Sequence, residues 1–151
     1  MKHLKHYIRE SILDDIDDQI ENTDEIIKKS ITNWIKVNVK SIKENKLNFD
    51  FSTTSIILNY DDNIRYKTNI TSLTNGMFQW GEVGGYFDCS FCKSLKSLEG
   101  APNKVGDFFD CCYCDSLESL DGAPQEVGAH FDCHFCKSLK SLKGAPKEFA
   151  L

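Results

Sequence analysis

The sequence predicts an α+β fold, in which an N-terminal helical hairpin caps a short solenoid with a parallel β-sheet. Three observations predict it. A near-identical segment recurs at constant spacing through the last third of the chain. The first part places apolar residues at helical spacing, and the stretch between the two alternates polar and apolar residues as strands do. The divisions fall at a helical segment over residues 1–45, a β-rich connector and N-terminal cap over 46–80, and repeats over 81–151.

The repeats carry most of the information. FDCSFCKSLKSLEGAP, FDCCYCDSLESLDGAP and FDCHFCKSLKSLKGAP start at Phe87, Phe109 and Phe131, a period of 22. The first and third copies agree at 14 of 16 positions and the first and second at 11 of 16, so the spacing is a structural period. A constant period of about 20–29 residues with fixed leucines marks a leucine-rich-repeat solenoid. Phe87 and Cys89 flank Asp88, so a short strand sends two side chains inward and one outward. Cys92 turns inward at the strand's end, and Leu95 and Leu98 fill the coil. Gly100-Ala101-Pro102 makes the turn, the proline holding Ala101 extended, and Val105 leads back to the next strand. Lys93, Asp115 and Lys137 form one column, and Lys96, Glu118 and Lys140 another. With strands about 4.8 Å apart each acid lies between two lysines, in pairs worth about 0.2–1 kcal/mol each.

In the helical segment Leu4, Ile8, Ile12, Ile16 and Ile20, with Tyr7 and Leu13, make one stripe, opposite a dense acidic run ending at Glu21. Asn22 reads as the cap of a second helix, with Glu25 three residues on reaching back to it. That helix continues through Ile26, Ile27, Ile31, Trp34, Ile35 and Ile42. In the connector, LNFDFS, TSIILNY and IRYKT read as short strands around a turn at Asp61-Asp62-Asn63. Helices and connector are expected to seal the first coil through Trp34 and Trp80. A thinner seal at Phe149–Leu151 leaves an edge for self-association.

Bulk composition excludes several classes. The net charge is −5 and the pI about 5.3, so no basic face advertises nucleic acid. No apolar run approaches the roughly 20 residues of a membrane helix, and acids follow the opening where a signal peptide needs its apolar stretch. The expectation is a cytoplasmic protein without membrane or nucleic-acid partners. All seven cysteines lie between Cys89 and Cys136, and in a reducing cytosol they are thiols or metal ligands rather than disulfides.

Cys-x-x-Cys in each copy is a zinc signature. Here the pairs advance with the solenoid period beside core-type Phe and Leu, which favours Cys89, Cys111 and Cys133 as core residues and Cys92, Cys114 and Cys136 as an inward ladder. The outward face collects Tyr86, Asp88 and Ser90, then Phe108, Asp110 and Cys112, then His130, Asp132 and His134. Its column of aspartates asks for a cationic partner, such as a lysine or arginine of a bound protein, and the aromatics suit an interface. His130, Asp132 and His134, with Asp110 adjacent, form an alternative transition-metal site. Phe91, Tyr113 and Phe135 read as packing between coils. The acidic helix face and the isolated His3 and His6 read as solvated surface, and GEVGG as a turn, lacking a phosphate loop's lysine. No catalytic constellation or cofactor fingerprint is present.

The pattern S-L-x-G-A-P-x-x-V-G-x-x-F-x-C resembles the short leucine-rich repeats of tailed-bacteriophage proteins, and more distantly those of bacterial effector proteins. The resemblance covers residues 81–151, and the opening KHLKHYIRES is also similar to the start of such phage proteins. It implies a solenoid that binds other macromolecules and brings no catalytic residues with it. The expected function is therefore a non-enzymatic protein-binding module, directed at a host or defence factor and working without a cofactor. The alternatives are a metal-binding protein and a self-assembling structural protein, the latter a homo-oligomer.

Overall fold

A computed structural model describes residues 2–52 and 54–149, in two compact units that part between Asn33 and Trp34. The first unit is helical. One helix, α1 (Lys2–Asn38), replaces the expected hairpin and ends just inside the second unit. It runs through Asn22 and Thr23 without a break. The Thr23 hydroxyl donates to the Gln19 carbonyl one turn back at 2.8 Å. Glu25, expected to reach back to Asn22, pairs instead with Lys28 at 2.8 Å. Ile20 and Ile26, expected on packed stripes, are exposed, whereas Ile31 is buried. The side chains of His3, Leu4, His6, Tyr7, Ile8, Ile12, Leu13 and Ile16 lie outside the described residues.

The second unit is a solenoid built on two sheets. The six-stranded sheet takes the order β1 (Leu47–Asp50), β2 (Ile57–Tyr60), β4 (Gln79–Val83), β6 (Lys104–Val105), β8 (Glu126–Val127) and β10 (Glu148–Phe149). The four-stranded sheet takes the order β3 (Ile64–Arg65), β5 (Phe87–Asp88), β7 (Phe109–Asp110) and β9 (Phe131–Asp132). Among the described strands β1 and β2 pair antiparallel and the other strand pairings are parallel. Each repeat therefore contributes two strands. Val105, expected merely to lead back, lies in a strand of the opposite sheet.

The expected connector is itself a coil. Ile64 pairs with Phe87 and Arg65 with Asp88, so IRY occupies the place that FDC takes in the repeats. Asp61-Asp62-Asn63 is thus a corner between two sheets, whereas a hairpin turn would have paired β2 with β3. Tyr60, Ile64, Tyr66, Ile70 and Leu73 of this coil are all buried. Trp80 is fully buried, edge-on to Phe78 at 5.0 Å and to Phe87 at 6.4 Å. Its indole N–H donates to the Tyr66 hydroxyl at 2.8 Å, and that hydroxyl donates to the Leu73 carbonyl, so the buried polar atoms are paired. The last turn of α1 joins this unit through buried Ile35, through Trp34 edge-on to Phe78 at 6.0 Å, and through a bridge from Val39 to Tyr66. Lys67 donates to the Val37 carbonyl at 2.5 Å, a cation placed on the helix's C-terminal end.

Identical residues stack down the solenoid. Phe87, Phe109 and Phe131 lie ring over ring at 5.3 Å in the interior, beside Cys89, Cys111, Leu95, Leu98, Leu117 and Leu120, all fully buried. The expected charge columns form on one side: Lys137 reaches Asp115 at 3.3 Å and Lys140 reaches Glu118 at 3.2 Å. Among the described residues no further coil covers the last one. Phe131, Cys133, Cys136 and Leu139 are part-exposed, and Leu142 is 66% exposed. β10 extends the six-stranded sheet beyond it, while the Phe149 side chain, Ala150 and Leu151 lie outside the described residues. No helix is long and apolar enough to cross a membrane among the described residues.

The glycine after each valine sits where coils touch backbone to backbone. A Cβ on Gly106 would lie 2.1 Å from the Gly84 carbonyl oxygen, and one on Gly128 the same distance from that of Gly106. Backbone cannot yield as a side chain does, so Gly106→Ala should destabilise by about 1–3 kcal/mol. It should lower the urea midpoint without changing the slope; an unchanged midpoint would contradict this packing.

Candidate functional site: the outer face of the four-stranded sheet

The alternation of each Phe-Asp strand sends phenylalanine inward and aspartate outward. On the outer face the preceding residues form a second ring stack. Tyr86 lies over Phe108 at 4.7 Å, and Phe108 over His130 at 5.2 Å, within 11° and 9° of parallel.

The aspartate column turns the chain. Asp88 accepts the backbone N–H of Ser90 at 2.9 Å, Asp110 that of Cys112 at 2.8 Å, and Asp132 that of His134 at 2.9 Å. Each is an Asx turn that ends a strand, which accounts for the repetition of aspartate on local grounds. The cation that the column asks for is supplied at one end by the chain itself. Arg65 donates to Asp88 at 2.7 Å, and its guanidinium lies 5.4 Å from the centre of the Tyr86 ring. Asp88 is 8% exposed and also accepts the Ser90 hydroxyl at 2.6 Å. No cationic side chain reaches Asp110 among the described residues, and Asp132 has only the exposed His134 ring at 2.6 Å. Burial pushes the Asp132 carboxyl up, but the backbone N–H and ring of His134 outweigh it and hold it below its usual range.

Beyond each Asx turn the chain enters the left-handed region, at Phe91 (φ 60°), Tyr113 (φ 57°) and Phe135 (φ 57°). An aromatic residue there carries strain of about 1–3 kcal/mol. These rings stack at 4.7 Å, and they are 48%, 37% and 66% exposed. They do stack between coils, as the sequence suggests, yet on the outside. The signal for that exposure is the Asp-Cys-x-Aromatic spacing, in which the aspartate turns the chain before the aromatic residue.

The cysteines complete the corner. The Cys114 thiol donates to the Cys89 carbonyl at 3.2 Å, Cys136 to the Cys111 carbonyl at 3.1 Å, and Cys92 to the Lys67 carbonyl at 3.5 Å. The second cysteine of each pair thus satisfies a backbone oxygen of the coil before, and the pairs do not converge on one point as zinc ligands do. Nor do His130, Asp132 and His134, since His130 stacks on Phe108 while His134 bonds to Asp132. Among the described residues the group whose ligand atoms lie within 4.8 Å of one another is Asp110, Cys112 and Asp132. Sequence reasoning placed these three on one face without singling them out as a set, and it passed over Arg65, whose signal was the IRY in the place of FDC.

The thiols differ in acidity. Burial and then the Asp110 carboxylate push Cys112 up to about 12. Cys136 is drawn down to about 7 by its side-chain interaction with Cys111 first and by the Cys114 backbone, against the effect of burial. Burial also raises Cys133. No protein-family model, curated protein or solved structure matches the chain.

Three part-exposed thiols should therefore alkylate in an order set by acidity. Iodoacetamide at neutral pH should modify Cys136 first, its rate rising roughly tenfold from pH 6 to 8 as the thiolate forms, while Cys112 stays protonated throughout. Peptide mass mapping reads the order, and faster labelling of Cys112 would refute it.

Proposed function

We propose that the protein is a non-enzymatic binding module that presents the outer face of its four-stranded sheet to another protein. The carrying observation is the exposed stack of Phe91, Tyr113 and Phe135 in left-handed backbone. Asn or Gly would adopt that conformation at less cost, and a core role is absent because the rings stand in solvent. Strain maintained at three successive coils supports use of the rings themselves. They flank the face that carries Asp110, Asp132 and the Tyr86–Phe108–His130 stack, so aromatic anchors border acidic groups. The resemblance to phage repeats makes a bacterial host or defence factor in the host cytoplasm the proposed target class, with neither nucleic acid nor membrane as partner.

Replacing all three rings by asparagine separates binding from folding. Each lost ring pair costs about 0.5–1.5 kcal/mol, and relief of the left-handed strain offsets much of it. The variant Phe91→Asn/Tyr113→Asn/Phe135→Asn should fold with near-native stability and lose a partner captured from bacterial lysate by the native chain. Equal recovery by folded variant and native bait would refute the reading.

A second reading, a metal-binding protein, rests on the one cluster that the geometry assembles, Asp110, Cys112 and Asp132. A thiolate with two carboxylates suits Zn2+, and binding must displace the Cys112 proton, so affinity should rise with pH. Equilibrium dialysis against Zn2+ should then show one site lost in Cys112→Ala; no difference between the two proteins removes this reading.

A further inference from the structure

We propose that the partner joins at the free edge of β9, as an extended segment that adds a strand to the four-stranded sheet and places an arginine or lysine in register with Asp132. This inference rests on the reading of the solenoid as a protein-binding module, and names where on it the partner docks and with what chemistry.

The edge is prepared on three counts. The first is backbone pairing. Phe87, Cys89 and Phe91 donate their N–H groups to Phe108, Asp110 and Cys112 of the next coil, and Phe109, Cys111 and Tyr113 donate to His130, Asp132 and His134. The equivalent donors of the last coil, on Phe131, Cys133 and Phe135, face the outer edge of β9, the terminal strand of its sheet among the described residues. Adding a strand is the way such an edge is satisfied.

The second count is apolar surface. Phe109, Cys111, Cys114, Leu117 and Leu120 are fully buried by the coil that follows them. Their counterparts Phe131, Cys133, Cys136 and Leu139 are part-exposed, and Leu142 is 66% exposed. An incoming segment with apolar residues either side of its basic one would cover Phe131 and Cys133, as Ile64 and Tyr66 cover Phe87 and Cys89 at the opposite end.

The third is charge. At that opposite end the strand in register with Asp88 brings Arg65, which bonds the carboxylate at 2.7 Å and lies over Tyr86. The free end presents the matching pair, Asp132 beside His130, with no arginine. The chain thus contains a worked instance of the contact its edge lacks. A second copy is the wrong occupant. Pairing β9 with itself would set Asp132 against Asp132 and the exposed row Lys137, Lys140 and Lys143 against its like, which is destabilising.

The test uses the full chain and a labelled peptide with the sequence of residues 62–71, DNIRYKTNIT, which carries the Ile-Arg-Tyr that pairs with Phe-Asp-Cys in the fold. Fluorescence anisotropy should show binding that weakens at least tenfold when the peptide's arginine is replaced by glutamate. Asp132→Asn keeps the acceptor for the Asx turn and so the fold, and it should abolish that discrimination. A peptide N-methylated at alternate residues, which keeps its side chains but cannot pair along an edge, should not bind. Equal binding of the arginine and glutamate peptides, undiminished discrimination in Asp132→Asn, or no binding at all would overturn the proposal. Full binding of the N-methylated peptide would also overturn it, placing the contact on the outer face and leaving the binding-module reading intact. A mass that doubles with concentration in the native chain and returns to single when the arginine peptide is added would put a second copy at the edge and overturn it as well.

Discussion

The structure depends on one corner, repeated. At the end of each inner strand an aspartate accepts the N–H two residues on, the chain swings into left-handed backbone at an aromatic residue, and the next cysteine donates its thiol to a carbonyl of the coil before. These contacts tie local conformation to stacking. The Asx bond ends the strand after two residues, the left-handed residue redirects the chain, and the thiol makes the redirection fit only above a preceding coil. A backbone so sharply bent exposes polar groups that a buried segment cannot leave unpaired. Here the strand-ending aspartate bonds two residues away and the thiol bonds to the coil before.

Register is what makes the columns. Because coils pair residue for residue, any side chain placed on the surface once is placed again about 4.8 Å away. For rings this favours parallel stacks from coil to coil, and three run down the described repeats. For carboxylates it sets like charges side by side. The sequence resolves that conflict differently along the chain. Asp115 and Glu118 interrupt lysine columns and form ion pairs with the coil that follows. The aspartate column cannot alternate, since each member is needed for its turn, and so its relief comes from the end, where Arg65 replaces an aspartate.

The three copies were legible because identity between them is high and their inward residues are of core type. The inward placement of Cys89, Cys92, Cys111 and Cys114 was legible for the same reason, whereas Cys133 and Cys136, expected inside as well, are part-exposed. The first coil was not, because IRY shares no residue with FDC and Ile64 lies 23 residues before Phe87, one more than the period. The second strand of each repeat escaped notice because Lys104-Val105 and Glu126-Val127 carry one apolar residue each, whereas Phe-Asp, equally short, continues into the alternation Phe-x-Cys. The predicted break in the first helix failed on chemistry that sequence patterns share: Asn22 and Thr23 resemble a cap, yet a threonine hydroxyl that bonds back to Gln19 is equally content inside a helix. Of the outer face, the nine residues named from alternation were placed on it by that rule, while Arg65 and the exposure of the Phe91 column required the coil and its corner to be known.

The two ends of the inner sheet show what a finished solenoid of this kind looks like and what an unfinished one leaves. At the first coil, tyrosine and isoleucine replace the repeated cysteine and phenylalanine, Trp80 fills the space beneath, and the helix end closes over it with paired backbone and a lysine on its carbonyls. Size, charge and hydrogen bonding all change together there. At the last coil none of them changes: residues 131–146 repeat the internal pattern almost unaltered, as if another coil stood beyond. Retention of the internal pattern at an open end keeps apolar surface, free strand edge and an aspartate without arginine available together, which is the combination that an added strand can satisfy.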